Sequence, residues 1–144
     1  NKMSEFDPAK MVLAFADGGS RGNPGPAAYG ALLQQDGITI AEIKEYIGDT
    51  TNNVAEWTGL WKILEKAQEL GVKNIEVRMD SELVVKQMLG VYRVKNEGLL
   101  PIYEKAKTLS TRFPNFKIVH VRREYNKEAD RLANQALDLR SAKI

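Results

Sequence analysis

Residues 11–26 read MVLAFADGGSRGNPGP, a near-continuous apolar run that stops at one acid, Asp17, and passes into a turn rich in glycine and proline. An apolar run this short, bounded in this way, reads as a strand buried on both faces, and such a strand belongs in the middle of a sheet. Asp17 then stands at the tip of the core. Removing water from an ionised carboxylate costs several kcal/mol or more unless a metal ion or hydrogen bonds replace the lost solvation. Gly18, Gly19, Gly22 and Gly25 leave the neighbouring backbone bare enough for a ligand to come close. A plain tight turn that begins with Asp is the alternative reading of the same residues.

The chain has 144 residues, 43% of them hydrophobic, which is the size and apolar content of one ordinary domain. Residues 1–10 are polar and patternless and are expected to form a flexible N-terminal tail, with 11–144 as a single domain. The net charge of +2 hides an asymmetry: residues 1–85 hold 8 basic and 13 acidic side chains, residues 86–131 hold 11 and 5. A basic face suited to a polyanion is therefore expected in the second half. The lack of cysteine excludes a disulfide framework and a thiolate metal site, and suits a reducing compartment. No apolar run approaches the roughly 20 residues that span a bilayer. A cytoplasmic protein with no membrane association is expected, and no apolar surface stripe argues against a monomer.

Beyond the glycine turn, residues 27–35 and 38–46 are strand-like and meet at Asp36-Gly37, a two-residue hairpin signal, so the first three strands should form an antiparallel meander. Residues 50–53 open a helix in which Val54, Trp57, Leu60, Trp61, Leu64 and Ala67 follow helical spacing and which closes at Gly71. That spacing assigns both tryptophans to core packing. Glu56 lies about 70° from the centre of the apolar stripe, at about 100° per residue, and so borders the core. Strand 75–79 ends in Asp80, before a helix from Ser81 to about residue 89. A short connection at 90–98, a helix at 99–111 and a strand at 116–121 follow. Asn126 is a plausible N-cap for the last helix, whose Ala129, Leu132, Ala133, Ala136 and Leu137 make a buried face flanked by Asp130. Strands in a meander, then alternating with helices, indicate an α/β layer structure with a mixed sheet of about five strands.

Each acid has a local alternative. Glu56 stands three residues after Asn53, as in a capping box; Asp80 is placed to cap the next helix; Asp130 complements a helix dipole. Their joint placement carries more weight. Asp17 and Asp80 end strands that should be neighbours, while Glu56 and Asp130 sit in the early turns of core-facing helices. Strand ends and adjoining loops are where ligands collect in α/β sheets. Four acids converging there repel one another unless cations bind, and an all-oxygen set suits Mg²⁺ or Mn²⁺.

Asp17-Gly18 with Gly22-Asn23-Pro24-Gly25-Pro26, then Thr51-Asn52-Asn53-Val54-Ala55-Glu56, then Asp80-Ser81, then Asn126-Lys127-Glu128-Ala129-Asp130-Arg131-Leu132-Ala133 resembles type 1 ribonuclease H. The likeness runs from about residue 11 to 138 with the motifs in family order. It implies a ribonuclease H-like α/β fold, a five-stranded mixed sheet flanked by helices, in which an antiparallel three-strand meander adjoins parallel strands. It also implies endonucleolytic cleavage of the RNA strand of an RNA/DNA hybrid, giving 5′-phosphate and 3′-hydroxyl ends. By position, Asp17, Glu56, Asp80 and Asp130 match the family's metal-binding carboxylates, with Asp17 bridging two Mg²⁺ ions roughly 4 Å apart and Mn²⁺ as a substitute. Asn23, Asn52 and Asn53 match residues facing the hybrid's minor groove, Thr51 and Asn52 a DNA-phosphate pocket, and Gly18 and Gly19 backbone that approaches the ribose.

Two features depart from the resemblance. Many relatives carry a histidine in the loop before the last carboxylate. Here His120, the sole histidine, falls inside the last strand and reads as a structural residue, while Arg123, seven residues before Asp130, resembles the arginine of an alternative form. Arginine is no base near neutral pH, so its role would be electrostatic, the alternative being a solvated loop charge. Residues 89–98 are also too short for the basic helix and loop with which some relatives clamp DNA; Tyr92, Arg93 and Lys95 are the candidates to replace part of that contact. Competing functions are a domain that binds hybrid or structured RNA without cutting it, a junction-resolving or transposase-type nuclease, and a Mg²⁺-dependent phosphatase. The last would need a nucleophile in a phosphate-gripping loop, which Asp17 lacks.

Overall fold

The structure is a computed structural model and describes residues 6–142. Its elements follow one another as β1 (Val12–Ser20), β2 (Gly25–Gln35), β3 (Ile38–Thr50), α1 (Asn52–Glu69), β4 (Asn74–Met79), α2 (Glu82–Met88), α3 (Leu100–Ser110), β5 (Asn115–His120) and α4 (Lys127–Ala142), with a 3₁₀ turn at Arg123–Tyr125. The strands form one sheet in the order β3-β2-β1-β4-β5, so the opening apolar run is its middle strand. β1 pairs antiparallel with β2 and parallel with β4, and β4 runs parallel to β5. This is the mixed sheet expected from the order of the elements.

β1 is longer than the apolar run. Gly18, Gly19 and Ser20 stay in the strand, opposite Tyr29, Ala28 and Ala27, and the turn occupies only the residues after them. The parallel pairing with β4 ends earlier, at Ala16 and Met79. Asp17 thus lies at a fork, still laddered to β2 but just past the point where β4 leaves. Backbone hydrogen bonding to β2 extends the strand through glycines whose local propensity favours a turn. β3 likewise continues to Thr50, past a register shift opposite Ala27 and Ala28, where Gly48 adopts φ +87°. In the hairpin between β2 and β3, Asp36 and Gly37 both have positive φ, 53° and 77°, the geometry of a type I′ turn.

Both faces of β1 are covered. Val12, Ala14 and Ala16 are fully buried in the main core with Trp57, Leu60, Ile63 and Leu64 of α1. On the opposite face Phe15 joins Leu32, Ala129 and Leu132, the last two from α4. Trp57 is fully buried, donates its indole N–H to Gln87 at 2.9 Å and meets Tyr103 edge-on. Trp61, expected in the core, is only partly buried: Lys62 and Lys105 lie 4.2 and 4.3 Å from its ring centroid. It still packs against this core from its margin. The expected tail also needs correction. Residues 1–5 lie outside the described residues, but 6–10 are held: Phe6 packs on the core, Gln35 exchanges two 2.7 Å hydrogen bonds with the Asp7 backbone, and Asn74 donates to the Ala9 carbonyl.

Two glycines set the distance between sheet and helices. A Cβ on Gly30 would stand 2.4 Å from the Ala133 nitrogen and 2.5 Å from the Ala129 oxygen of α4. A Cβ on Gly18 would stand 2.4 Å from the Ala55 carbonyl carbon of α1. Backbone cannot yield as a flexible side chain can, so Gly30→Ala is expected to cost about 2–3 kcal/mol, near the upper end of overpacking effects. Urea unfolding checks this. A midpoint equal to wild type's would show that α4 does not sit this close.

Candidate active site

The four acids arrive at the fork from four directions. Asp17 comes from β1, Asp80 immediately follows β4, Glu56 lies on α1 and Asp130 in the first turn of α4. Thr51 is the N-cap of α1, its hydroxyl accepting the Val54 N–H at 3.2 Å, so Glu56 sits one turn further in and forms no capping box. Ser81, not Asp80, caps α2, accepting the Val84 N–H at 3.2 Å. These carboxylates are therefore free of the local capping roles that would have explained them. Gly18 also has a packing task. A Cβ here would run into the α1 backbone at Ala55 and Glu56, so the bare Cα seats Glu56 beside β1. Gly19 is open, with the Asn52 amide oxygen 3.6 Å from where its Cβ would stand.

Electrostatics joins the acids. Burial pushes the Asp17 carboxyl up to about 8 from its ordinary 3.8; the charges of Asp80, Asp130 and Glu56 add to the rise, and the Gly18 N–H, donating at 2.9 Å, opposes it. Burial lifts Glu56 to about 7 from 4.5, with a hydrogen bond from Ser81 working against it and Asp80 adding to it. Asp80 keeps 15% of its side-chain surface, accepts from the Asn126 amide at 3.1 Å and has Arg123 Nε at 3.9 Å. Asp130 is exposed at the rim, with the Asn134 amide 3.3 Å away. One carboxylate thus feels the other three.

The donor chemistry fits hard divalent cations. Every candidate ligand is a carboxylate oxygen, and two of the groups resist ionising in the absence of a compensating positive charge. Among the described residues, no three His, Cys, Asp or Glu side chains stand as a ready-made cage.

Around the fork, the amide residues are organised by one another. Asn52 Oδ1 accepts from the Ser20 backbone at 2.8 Å and the Ser20 hydroxyl at 3.1 Å, while Asn23 Oδ1 accepts the Asn52 backbone N–H at 3.0 Å. The carbonyl ends are consumed locally and the NH₂ ends remain as donors. Asn53 is different: its Oδ1 is buried and finds no partner among the described residues. Arg123 is 90% exposed and lies over Asp80. His120 ends β5 and is exposed.

Asn126 and Ser81 are the site residues that sequence reading assigned too small a part. Asn126 was expected only to cap α4. It does accept the Asp130 N–H through its backbone oxygen, but its side chain is buried and turned toward β1 and Asp80. An N-cap pattern cannot reveal this, because the partners are more than forty residues away.

A sheet of this order, carrying acids at the β1–β4 fork with helices on both faces, is that of a ribonuclease H-like protein. Residues 15–136 match the family described as Reverse transcriptase-like. The chain is 45% identical over 133 residues to Ribonuclease HI of Halobacterium salinarum, covering 92% of this chain and 67% of that one. It is 48% identical over 129 residues to Bifunctional protein Rv2228c of Mycobacterium tuberculosis, 88% of this chain but only 35% of the longer protein. The solved N-terminal RNase H domain of that protein superposes with a TM-score of 0.88 at 46% identity, covering 92% of this chain and 97% of that domain. LC11-RNase H1, solved in complex with RNA/DNA hybrid, gives 0.83 at 46% identity, covering 88% and 96%. The chain belongs to the ribonuclease H family.

Both raised carboxyls hold their protons more tightly in the folded state than in the unfolded one. Between about pH 4 and 8 the folded protein carries the extra protons, so its stability falls as pH rises through that window. Measured by calorimetry in EDTA, relative to Asp17→Asn, wild-type stability is expected to decline from pH 4 to 8 and level off above. Because a divalent cation binds the deprotonated form, the increase in Tm on adding Mg²⁺ should be larger at pH 9 than at pH 6. A pH-independent difference from Asp17→Asn would contradict the burial of this carboxyl.

Proposed function

We propose that this protein is an endoribonuclease that hydrolyses the RNA strand of RNA/DNA hybrids, leaving 5′-phosphate and 3′-hydroxyl ends. Asp17, Glu56, Asp80 and Asp130 would hold two Mg²⁺ ions, or Mn²⁺ in their place. The observation that carries this reading is the coupling of all three other acids to the buried Asp17. When bound, such ions supply a more acidic water and neutralise charge on the leaving 3′-oxygen, so the protein needs no covalent nucleophile.

The chain's own groups then have distinct tasks. Asp17, at the fork and acted on by the other three acids, would be the carboxylate shared between the ions. Arg123 adds positive charge on the solvent side, where a scissile phosphate would lie above Asp80. The free NH₂ ends of Asn23 and Asn52 suit base edges and 2′-hydroxyls of a minor groove without sequence readout. Asn53, the next residue of α1, is the third candidate for that groove, and the Thr51 hydroxyl, with the amide of Asn52, suits a DNA phosphate. Gly19 is open for close approach of the sugar, and Gly18 would offer its backbone beside it while its bare Cα accommodates α1. Exposed Tyr92, Arg93 and Lys95 extend the positive surface between α2 and α3. In this reading the domain acts as a cytoplasmic monomer.

Labelled RNA/DNA hybrid, duplex DNA and duplex RNA, incubated with Mg²⁺ or with EDTA, test the proposal. Cleavage of the hybrid in Mg²⁺ is expected, falling to background in EDTA and in Asp17→Asn; binding without cleavage by wild type would contradict it. Arg123→Ala should lower turnover about tenfold or more, less than the loss of a buried oxyanion donor, while metal binding persists. Unchanged kinetics would remove Arg123 from the reaction. Hybrid affinity should fall with salt at close to one unit of log–log slope per phosphate neutralised, and a flat response would contradict the basic-face assignment.

A further inference from the structure

We propose that Asn126 is a positioning residue of the carboxylate site, fixing Asp80 and the β1 backbone beside Asp17 against the start of α4. The inference rests on the divalent-cation reading above. Asn126 is 1% exposed, so it does not touch substrate. Its Nδ2 group donates twice, to the Ala16 carbonyl at 2.9 Å and to Asp80 Oδ1 at 3.1 Å. Its backbone N–H donates to the Arg123 carbonyl at 2.9 Å, and its backbone oxygen accepts the Asp130 N–H at 3.2 Å. One residue is therefore bonded to Asp80, to the residue preceding Asp17, to the backbone of Asp130 and to Arg123.

The orientation of the amide is forced. Turned over, its oxygen would face a carbonyl and a carboxylate, three acceptors with no proton between them. As it stands, both protons are used and Oδ1 is left buried with no partner among the described residues. An unsatisfied buried acceptor is costly, and an apolar side chain of similar size would avoid that cost. Filling space is thus a poor account of an asparagine here; donating two hydrogen bonds is a good one. The Ala16 carbonyl lies where β1–β4 pairing ends, and the amide supplies a donor at that point. With Oδ1 of Asp80 held, Oδ2 is the oxygen that faces Arg123.

Calorimetric titration of Mn²⁺ into metal-free wild type, Asn126→Ala and Asn126→Ser tests this, together with kcat and KM for hybrid as a function of Mg²⁺. Outer-shell partners of metal ligands typically contribute 10- to 100-fold in affinity or activity. Asn126→Ala is expected to weaken Mn²⁺ binding and raise the half-saturating Mg²⁺ concentration by about tenfold. KM for hybrid should stay within about twofold, because no substrate contact is lost. Asn126→Ser, which keeps one donor, should fall between, and it decides the matter if the alanine variant does not fold. A merely structural role would lower Tm while leaving the Mn²⁺ dissociation constant and Mg²⁺ dependence of the folded protein unchanged, and that result overturns the proposal. Wild type that binds no Mn²⁺ would overturn the cation reading itself; wild type that binds normally beside unaffected variants overturns only the role of Asn126.

Discussion

The burial of the Asp17 carboxyl within the field of three other acids is the constraint on which this architecture turns. A carboxylate among apolar strands resists ionising, and each added negative neighbour deepens the resistance. Folding energy has to hold these groups together against their repulsion, so they are mounted on rigid elements rather than on loops alone. Asp17 is laddered into the central strand, Asp80 follows its parallel neighbour, and Glu56 and Asp130 ride on helices packed to opposite faces of the sheet. All three other acids act on Asp17 to raise it. Phe15 and Asp17 share the face covered by α4, and α1 covers the other.

The close approach of helix to sheet converts a common α/β layer into a site. Gly18 lets the first turns of α1 press on β1, and Gly30 lets α4 press on β2. With side chains at either glycine, the helices would stand off and their acids would move away from the fork. Ser81 and Asn126 then trim the result: each is bound to a neighbouring helix start and also to one of the acids. The NH₂ groups of Asn23 and Asn52 are aimed by the same economy, their oxygens being held by the backbones of α1 and β1.

Much of the fold was legible in the sequence because its signals are local. The apolar run of β1, the Asp36-Gly37 turn and the spacing of Trp57, Leu60 and Leu64 each report short-range preferences that the tertiary structure leaves intact. What was misread depends on partners distant in the chain. Glycines after Asp17 looked like a turn but are drawn into the ladder by β2. The bare Cα of Gly18 also makes room for α1, which its own neighbourhood in the sequence does not show. Residues 6–10 looked like a tail, yet Gln35 and Asn74 hold them. The four acids could be picked out because strand ends and helix starts are visible in sequence, whereas the double hydrogen bond of Asn126 reaches β1 across 110 positions and leaves no local trace.

Anomalous scattering from crystals grown with Mn²⁺ and an uncleavable RNA/DNA hybrid would measure the central feature most directly. Two manganese peaks are expected at the β1–β4 fork, both within ligand distance of the Asp17 carboxylate and beside a phosphate of the RNA strand. Peaks that avoid Asp17, or a fork with no manganese while the hybrid is bound, would contradict a cation site built from these four acids.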